Sequence, residues 1–350
     1  MMDKGDRILV TGAGGFIGSA LTRALIGDGY RVVALVEPGG NGRNLEGLDL
    51  DRVTADIRDP TGVREAVSGC RAVFHVAAMY RFWAARQRDF YDVNVLGTRH
   101  VIEAAAAAGI ERLVFTSTVG TLGLDGDSAP ATETSFPDVG HLFGSYKRSK
   151  YVAEHEVLRA AAEGLPVSLV LPTFPLGPRD RVPTPSGRLV LDFLNGRMPG
   201  YVDTVLNVVH VDDVARGHVL ALERGAVGRS YILGGTNLSL RELLGVLASL
   251  TGLPQPNLHV PRPLTLGAAW LSETVEGRLL RRQPTIPLEA ARMSTTRMAF
   301  DDSRAREELG YQSRPPAAAL EDSARWFYDN GYVRPGRRSR LAWSPQRAEA

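Results

Sequence analysis

The stretch Val10-Thr11-Gly12-Ala13-Gly14-Gly15-Phe16-Ile17-Gly18 decides the fold. The apolar run Arg7-Ile8-Leu9-Val10 leads into it, and an apolar-periodic stretch over residues 16–27 leaves it. Strand, glycine loop and helix, in that order, form the setting in which such a loop holds a dinucleotide. Each glycine has a physical task. Gly12 permits the tight turn, Gly15 lets the backbone approach a pyrophosphate, and Gly18 lets the helix pack closely on the sheet. The pyrophosphate then rests on the helix N-terminus, where free N–H groups and the helix dipole favour an anion.

Outward from the loop, further β-rich runs occur at residues 31–36, 53–55, 72–77, 112–117 and 167–171. Helical patterns separate them, most clearly over 94–108 and 146–162. Strands that read as continuous apolar runs with helices between them predict a parallel sheet covered on both faces. The expected fold is α/β, a doubly wound parallel Rossmann sheet with its ligand at the carboxyl ends of the strands. Residues 1–171 are assigned to this NAD(P)-binding domain, with later segments completing the sheet.

The composition changes after Pro172. Pro175, Pro178, Pro183 and Pro185 punctuate an irregular stretch. Shorter elements follow: helices near 188–195 and 212–223, a strand at 230–233, and a helix opened by Ser239. Glu242 stands three residues later, the spacing of a capping box. Residues 172–332 are assigned to a smaller C-terminal α/β substrate lobe. Within it, residues 264–280 predict a long amphipathic helix whose apolar stripe packs on the lobe, a membrane-surface helix being the alternative. Arg334, Arg337, Arg338, Arg340 and Arg347 cluster among Pro, Ser and Gly, so residues 333–350 read as a disordered basic tail.

The length of 350 residues suits a large domain plus a smaller one. Lys+Arg number 41 against Asp+Glu 39, so no broad basic face is required and nucleic acid is not an expected partner. The single cysteine, Cys70, cannot form a disulfide within one chain, which fits a reducing cytoplasm. Its expected role is a small buried hydrophobe. No apolar run reaches the roughly 18 residues needed to cross a bilayer, and the N-terminal residues show no signal-peptide pattern.

Cofactor candidates lie at strand ends. Glu37 follows the second strand near the spacing at which an acid meets the adenine ribose. A carboxylate there repels a 2′-phosphate and favours NAD weakly, whereas Arg43 offers the opposite preference. Asp56-Ile57 ends the third strand, where a side chain could meet the adenine. The small pair Ala77-Ala78 ends the fourth and would let a cofactor lie against the sheet edge.

Catalytic candidates come from Tyr146-Lys147-Arg148-Ser149-Lys150. Tyr146 and Lys150, four residues apart at a helix start, share one face. A phenol with an ordinary pKa of about 10 is a poor base at neutral pH. A nearby ammonium and the positive nicotinamide ring would each favour the tyrosinate. The fifth strand delivers Thr116-Ser117-Thr118 to the sheet edge, where a hydroxyl could hold the substrate oxygen beside Tyr146. His210-Val211-Asp212-Asp213 reads as a strand entering a helix with an aspartate as cap, not as a metal site. No histidine has metal-ligand spacing, and no metal is expected.

These residues resemble the extended short-chain dehydrogenase/reductase superfamily. The glycine spacing, Asp56-Ile57, His75-Val76-Ala77-Ala78, Asn94 within Asp92-Val93-Asn94-Val95-Leu96-Gly97-Thr98, the hydroxyl strand and Tyr146/Lys150 match in order. Phe74 to Trp83, Gly144 to Lys150, Pro183 to Arg188, Asp192 to Gly196 and Tyr201 to Thr204 are similar to the hopanoid-associated sugar epimerases, themselves similar to dihydroflavonol 4-reductases. The resemblance implies NAD or NADP, a cytoplasmic enzyme, and a Thr118, Tyr146, Lys150 triad, with threonine where relatives carry serine. It implies cofactor contacts at Gly12, Gly15, Phe16, Ile17, Gly18, Glu37, Arg43, Asp56, Ile57, Ala77, Ala78, Asn94, Thr116, Ser117, Tyr146, Lys150 and Pro172.

Substrate contacts are expected at Tyr80, Arg81, Trp83, Thr118, Arg188 and Tyr201, which suit a polar ring. The expected reaction is epimerisation or oxidoreduction at a secondary alcohol of a sugar-like small molecule, linked to hopanoid biosynthesis. A reductase or dehydrogenase of the dihydroflavonol, sterol or hopanoid type is the alternative, with walls formed by Phe174 and Phe193. A non-catalytic dinucleotide sensor is the second alternative. A homodimer is left open.

Overall fold

The structure is a computed structural model describing residues 2–40, 42–124, 129–138, 140, 142–280, 282–294 and 296–343. Its strands are β1 (Arg7–Thr11), β2 (Arg31–Val36), β3 (Asp51–Thr54), β4 (Ala72–His75), β5 (Arg112–Thr116), β6 (Val167–Pro172), β7 (Phe174–Leu176), β8 (Val205–His210), β9 (Ser230–Leu233) and β10 (Thr236–Ser239). The first half carries the helices α1 (Phe16–Gly27), α2 (Pro60–Val67), α3 (Arg88–Tyr91), α4 (Gly97–Ala108) and α5 (Ser145–Ala162). The second carries α6 (Pro185–Leu194), α7 (Val211–Arg224), α8 (Leu240–Thr251), α9 (Arg262–Ser272), α10 (Leu288–Ser294), α11 (Pro316–Asp329) and α12 (Pro335–Arg338).

Seven strands form one sheet in the order β3-β2-β1-β4-β5-β6-β9, and every pairing is parallel. Val10 stands opposite Ala34 on one side and Phe74 on the other. Helices α1 and α7 pack together, as do α2, α4 and α5 in turn. The inner strands β4 and β6 are buried along their whole length, which is why their sequences lack polar alternation. Strand order reverses between β1 and β4, so the loops after them splay apart and leave a crevice. A second, three-stranded sheet runs β10-β8-β7.

Local sequence explains the helix ends. Asp59 caps α2 by accepting from Thr61 N, with Pro60 in the first turn. Ser239 and Glu242 form a complete capping box on α8. Gly109 ends α4 in the left-handed conformation.

The structure departs from four expectations. The segment expected to be helical from residue 94 begins with a π-helical turn, Asp92–Leu96, before α4. The cap of α7 is His210, whose Nδ1 accepts from Asp212 N, while Asp213 accepts from Arg314. His210 occupies the N-cap position itself, whereas both aspartates lie inside the first turn.

The basic tail is folded as far as Trp343. Tyr328 donates to the Trp343 carbonyl, Arg338 lies over the Tyr328 ring, and Leu341 is buried. Leu341 and the partly buried Trp343 are its apolar contacts with the core; residues 344–350 lie outside the described residues.

The apolar stripe of residues 264–280 does not pack inward. α9 buries only Ala269, and a π-helical stretch, Glu273–Leu279, follows it. Cys70 is buried and unpaired, and burial pushes its thiol pKa up.

Candidate active site

The crevice between β1 and β4 is built first by the glycine loop. Gly12 has φ +67°, and a methyl there would stand 2.8 Å from the Ala77 Cα. A methyl on Gly18 would stand 2.1 Å from the Gly12 carbonyl oxygen. The loop closes through Gly15 N donating to Gly12 O. Gly15 caps α1 without any side-chain hydrogen bond, so the helix N-terminus is offered to an anion. Phe16 and Ile17 form its first turn. A loop kept free of side chains, against the strand end Ala77-Ala78, fits a dinucleotide pyrophosphate.

His75 locks the two strand ends together. Thr11 Oγ1 accepts from Val76 N and Ala77 N and meets His75 Nδ1 at 2.8 Å. Its one proton therefore goes to Nδ1. The proton on His75 then lies on Nε2, which meets Thr98 Oγ1 at 2.9 Å, and Thr98 donates to Asn94 O. Burial pushes the imidazole down to about 3, with Lys150 adding to the effect, so this chain of bonds holds a neutral ring. Asn94 ties the loop after β4 to α5, accepting from Met79 N and donating to Ser149 Oγ.

At the adenine end, Glu37 is exposed after β2. Asp56 accepts from the backbone N and the guanidinium of Arg58, which holds its carboxyl below the usual range. Ile57 is buried beneath Gly97. Arg58 lies within electrostatic reach of Glu37. Arg43 lies within electrostatic reach of Tyr332. Sequence spacing from the second strand did not identify Arg58, because it arrives from the third.

The three hydroxyls after β5 diverge. Thr116 Oγ1 bonds His218 Nε2 at 2.8 Å, and its carbonyl accepts from Lys150 Nζ at 2.7 Å. Ser117 donates to Glu154 at 2.5 Å, and Thr121 donates to the same oxygen. Thr118 accepts from Gly120 N, and its hydroxyl stands near enough to the Tyr146 phenol to lower the phenol's pKa. Thr118 and Tyr146 thus come together, whereas Ser117 is engaged elsewhere.

Tyr146 is buried in the first turn of α5, its ring 4.9 Å from that of Tyr80. Burial pushes its phenol above the ordinary range, the Thr118 hydroxyl lowers it, and Glu289 raises it. The expectation that Lys150 draws it down is not what dominates here. Lys150 is aimed at the Thr116 carbonyl and lies 4.3 Å over the Phe115 ring. Burial pushes the Lys150 ammonium down to about 7, opposed by Glu154.

A lysine depressed in the folded state binds fewer protons there than when unfolded. Stability associated with it therefore rises as pH climbs from about 7 towards the unfolded lysine value. Lys150→Met is expected to raise the melting temperature at pH 6 by about 2 °C or more, with the gain shrinking towards pH 10. Thermal unfolding at the two pH values checks this; an equal shift at both would refute it.

Two acids that sequence reasoning missed border Tyr80 and Tyr146. Asp180 is buried, accepts from Thr184 N and Oγ1, and is pushed up to about 6 by burial. Glu289 on α10 approaches Gly144 and Lys147 and is pushed up to about 7 by burial. Its Oε1 has no hydrogen-bond partner. Both are distant in sequence from the motifs they adjoin, so no spacing could reveal them.

The remaining expected residues scatter. Trp83 lies beside Gly277 of the π-helical stretch. Arg81 and Arg188 are exposed. Tyr201 packs at a tilt against His259 and lines a groove of about 240 Å³ with Asp203, Arg241 and Arg297, sharing no lining residue with the Tyr146 cluster. Pro172 ends β6 opposite Leu233. Phe174 belongs to β7, and Phe193 lies in the core.

A doubly wound sheet with a glycine crevice and a Tyr/Lys helix defines an extended short-chain dehydrogenase/reductase. The chain belongs to the NAD dependent epimerase/dehydratase family, whose model matches residues 8–234. It is 43% identical to the "Putative dihydroflavonol 4-reductase" of Synechocystis sp., over 94% of this chain and 96% of that protein. It is 34% identical to sterol demethylase protein B of Methylococcus capsulatus, over 93% and 99%. The dTDP-glucose 4,6-dehydratase DesIV of Streptomyces venezuelae, solved with NAD and TYD bound, superimposes with a TM-score of 0.73 at 28% identity, covering 94% of this chain and 99% of that one.

Proposed function

We propose that this NAD(P)-dependent enzyme reduces a ketone, or oxidises the matching secondary alcohol, on a small apolar or ring-shaped molecule. The observation that carries this reading is the buried Tyr146 phenol, raised above its ordinary pKa by burial, with the Thr118 hydroxyl beside it. A neutral phenol is a proton donor, which is what a carbonyl oxygen needs as it becomes an alcohol. NAD(P), when bound, exchanges a hydride with the carbinol carbon.

The chain's residues supply the rest. Thr118 holds the substrate oxygen beside Tyr146. Lys150, once charged, favours the tyrosinate left behind. The tyrosine takes its proton back in the alcohol direction. Tyr80 and Trp83 offer flat apolar faces to the substrate. Glu37 disfavours a 2′-phosphate, so NAD is the preferred form. Residues 1–171 with β9 serve the cofactor, and 172–332 bear on the substrate. The naming of relatives as reductase and sterol demethylase supports this reading.

The second reading is an epimerase of a sugar-like substrate, favoured by the family and by the likeness to a sugar dehydratase. In that case the hydride returns to the other face of the ketone. Cofactor stoichiometry decides between them. Purified protein is incubated with NADH or NADPH and a panel of aryl, polycyclic and sugar ketones. Consumption of one reduced cofactor per product supports the reductase; product formed on a catalytic trace of NAD overturns it.

The hydroxyl assignment has its own test. Thr118→Ala is expected to lower kcat by about 10²-fold, whereas Ser117→Ala, whose partner is Glu154, leaves kcat within a few-fold. The reverse ranking would transfer the role to Ser117.

A further inference from the structure

The apolar stripe on α9 faces solvent. Leu264 and Leu271 fall on one line of α9, whose period is 3.6 residues per turn, and Val275 follows in the π-helical stretch. Leu264 is 65% exposed, Trp270 61%, Leu271 57% and Leu279 77%, with Leu280 exposed beside them. Side chains this large, contiguous and solvent-facing mark an interaction surface. A tryptophan among leucines suits the boundary between water and hydrocarbon.

Charge names the occupant. Residues 258–297 contain six arginines and three glutamates. All three acids are turned to the protein's own groups. Glu273 accepts from Leu288 N. Glu276 accepts from Thr285 N, Ser272 Oγ and Arg282. Glu289 is largely buried near Lys147. Arg262, at the start of the helix, is exposed. An apolar stripe set in a net basic segment complements an anionic lipid surface. No helix among the described residues is long and apolar enough to cross a membrane, so contact would be with one leaflet.

We infer that α9 and the turn after it form a docking face for an anionic bilayer. Leu264, Leu271 and Leu279 enter the acyl boundary, Trp270 sits at headgroup depth, and Arg262 meets lipid phosphate. The same segment brings Gly277 against Trp83 and Glu289 against Gly144. A docked bilayer would therefore lie next to the cover of the substrate residues. The inference does not depend on which reaction the site performs.

The test is co-sedimentation of the full chain with phosphatidylglycerol/phosphatidylcholine vesicles and with pure phosphatidylcholine vesicles. The wild type is expected to sediment with the anionic vesicles and to be released by 0.5 M salt, which shortens the Debye length to about 4 Å. Leu264→Glu, Leu271→Glu and Leu279→Glu combined should weaken partitioning at least about tenfold. These residues are exposed, so circular dichroism and NAD binding should not change. Absence of wild-type binding to anionic vesicles overturns the inference. So does equal binding to both vesicle types, or a triple variant that sediments like the wild type. A wild-type dimer that the triple variant converts to monomer, without vesicle binding, would assign the face to a second copy instead.

Discussion

Tyr146→Phe is expected to lower kcat by about 10²–10⁴-fold while leaving NAD affinity within a few-fold. The phenol hydroxyl is the only group of that ring able to hold or release a proton at the substrate oxygen. Its partner Thr118 and its neighbour Tyr80 remain in place in the variant, because phenylalanine fills the same buried volume. Binding measured by fluorescence or calorimetry, alongside steady-state rates on the accepted substrate, separates the two effects. A variant that retained full turnover would dismiss Tyr146 as the proton donor. Full loss of NAD binding would instead show that the substitution had disturbed the crevice.

Gly12→Ala is expected to weaken NAD binding at least about tenfold, a change of about 1.4 kcal/mol. Two costs combine. A left-handed backbone at φ +67° costs a non-glycine residue roughly 1–2 kcal/mol. The new methyl also meets the Ala77 backbone at 2.8 Å, which must move away from the cofactor edge. Gly18→Ala should be worse, since its methyl meets the Gly12 carbonyl at 2.1 Å. Gly27→Ala is the control: a helical glycine with open space, where alanine is neutral or stabilises by about 0.5–1 kcal/mol. Isothermal titration of the three variants checks the order. Unchanged NAD affinity in Gly12→Ala would mean that the loop does not cradle the cofactor.

These effects trace back to features of different range. The glycine loop is read locally because a positive φ and a close approach each demand glycine, and because strand, turn and helix are contiguous in sequence. The parallel sheet is legible for a related reason. Strands buried on both faces must be apolar throughout, so β4 and β6 announce themselves. Tyr146 and Lys150 are legible as a pair because one helical turn joins them. Their surroundings are not. Lys150 turns to the Thr116 carbonyl, and Ser117 turns to Glu154; neither preference follows from the order of residues. Glu289 lies 143 positions from Tyr146 in the chain yet bears on its phenol.

The apolar stripe shows the limit most plainly. Periodicity in residues 264–280 correctly implied an amphipathic element, since spacing alone determines which side chains share a face. Whether that face is covered depends on what other elements leave room for, and α9 is left with only Ala269 buried. Composition failed at the tail for a similar reason: it averages over Leu341 and Trp343, two side chains whose docking decides whether residues up to 343 fold. By itself, then, the sequence determined the doubly wound sheet, the dinucleotide loop and the Tyr/Lys helix, because each is written in contacts of a few residues' range. Tertiary structure alone decided which hydroxyl meets the phenol, which acids surround it and which apolar face meets the outside, because those depend on partners brought from far along the chain.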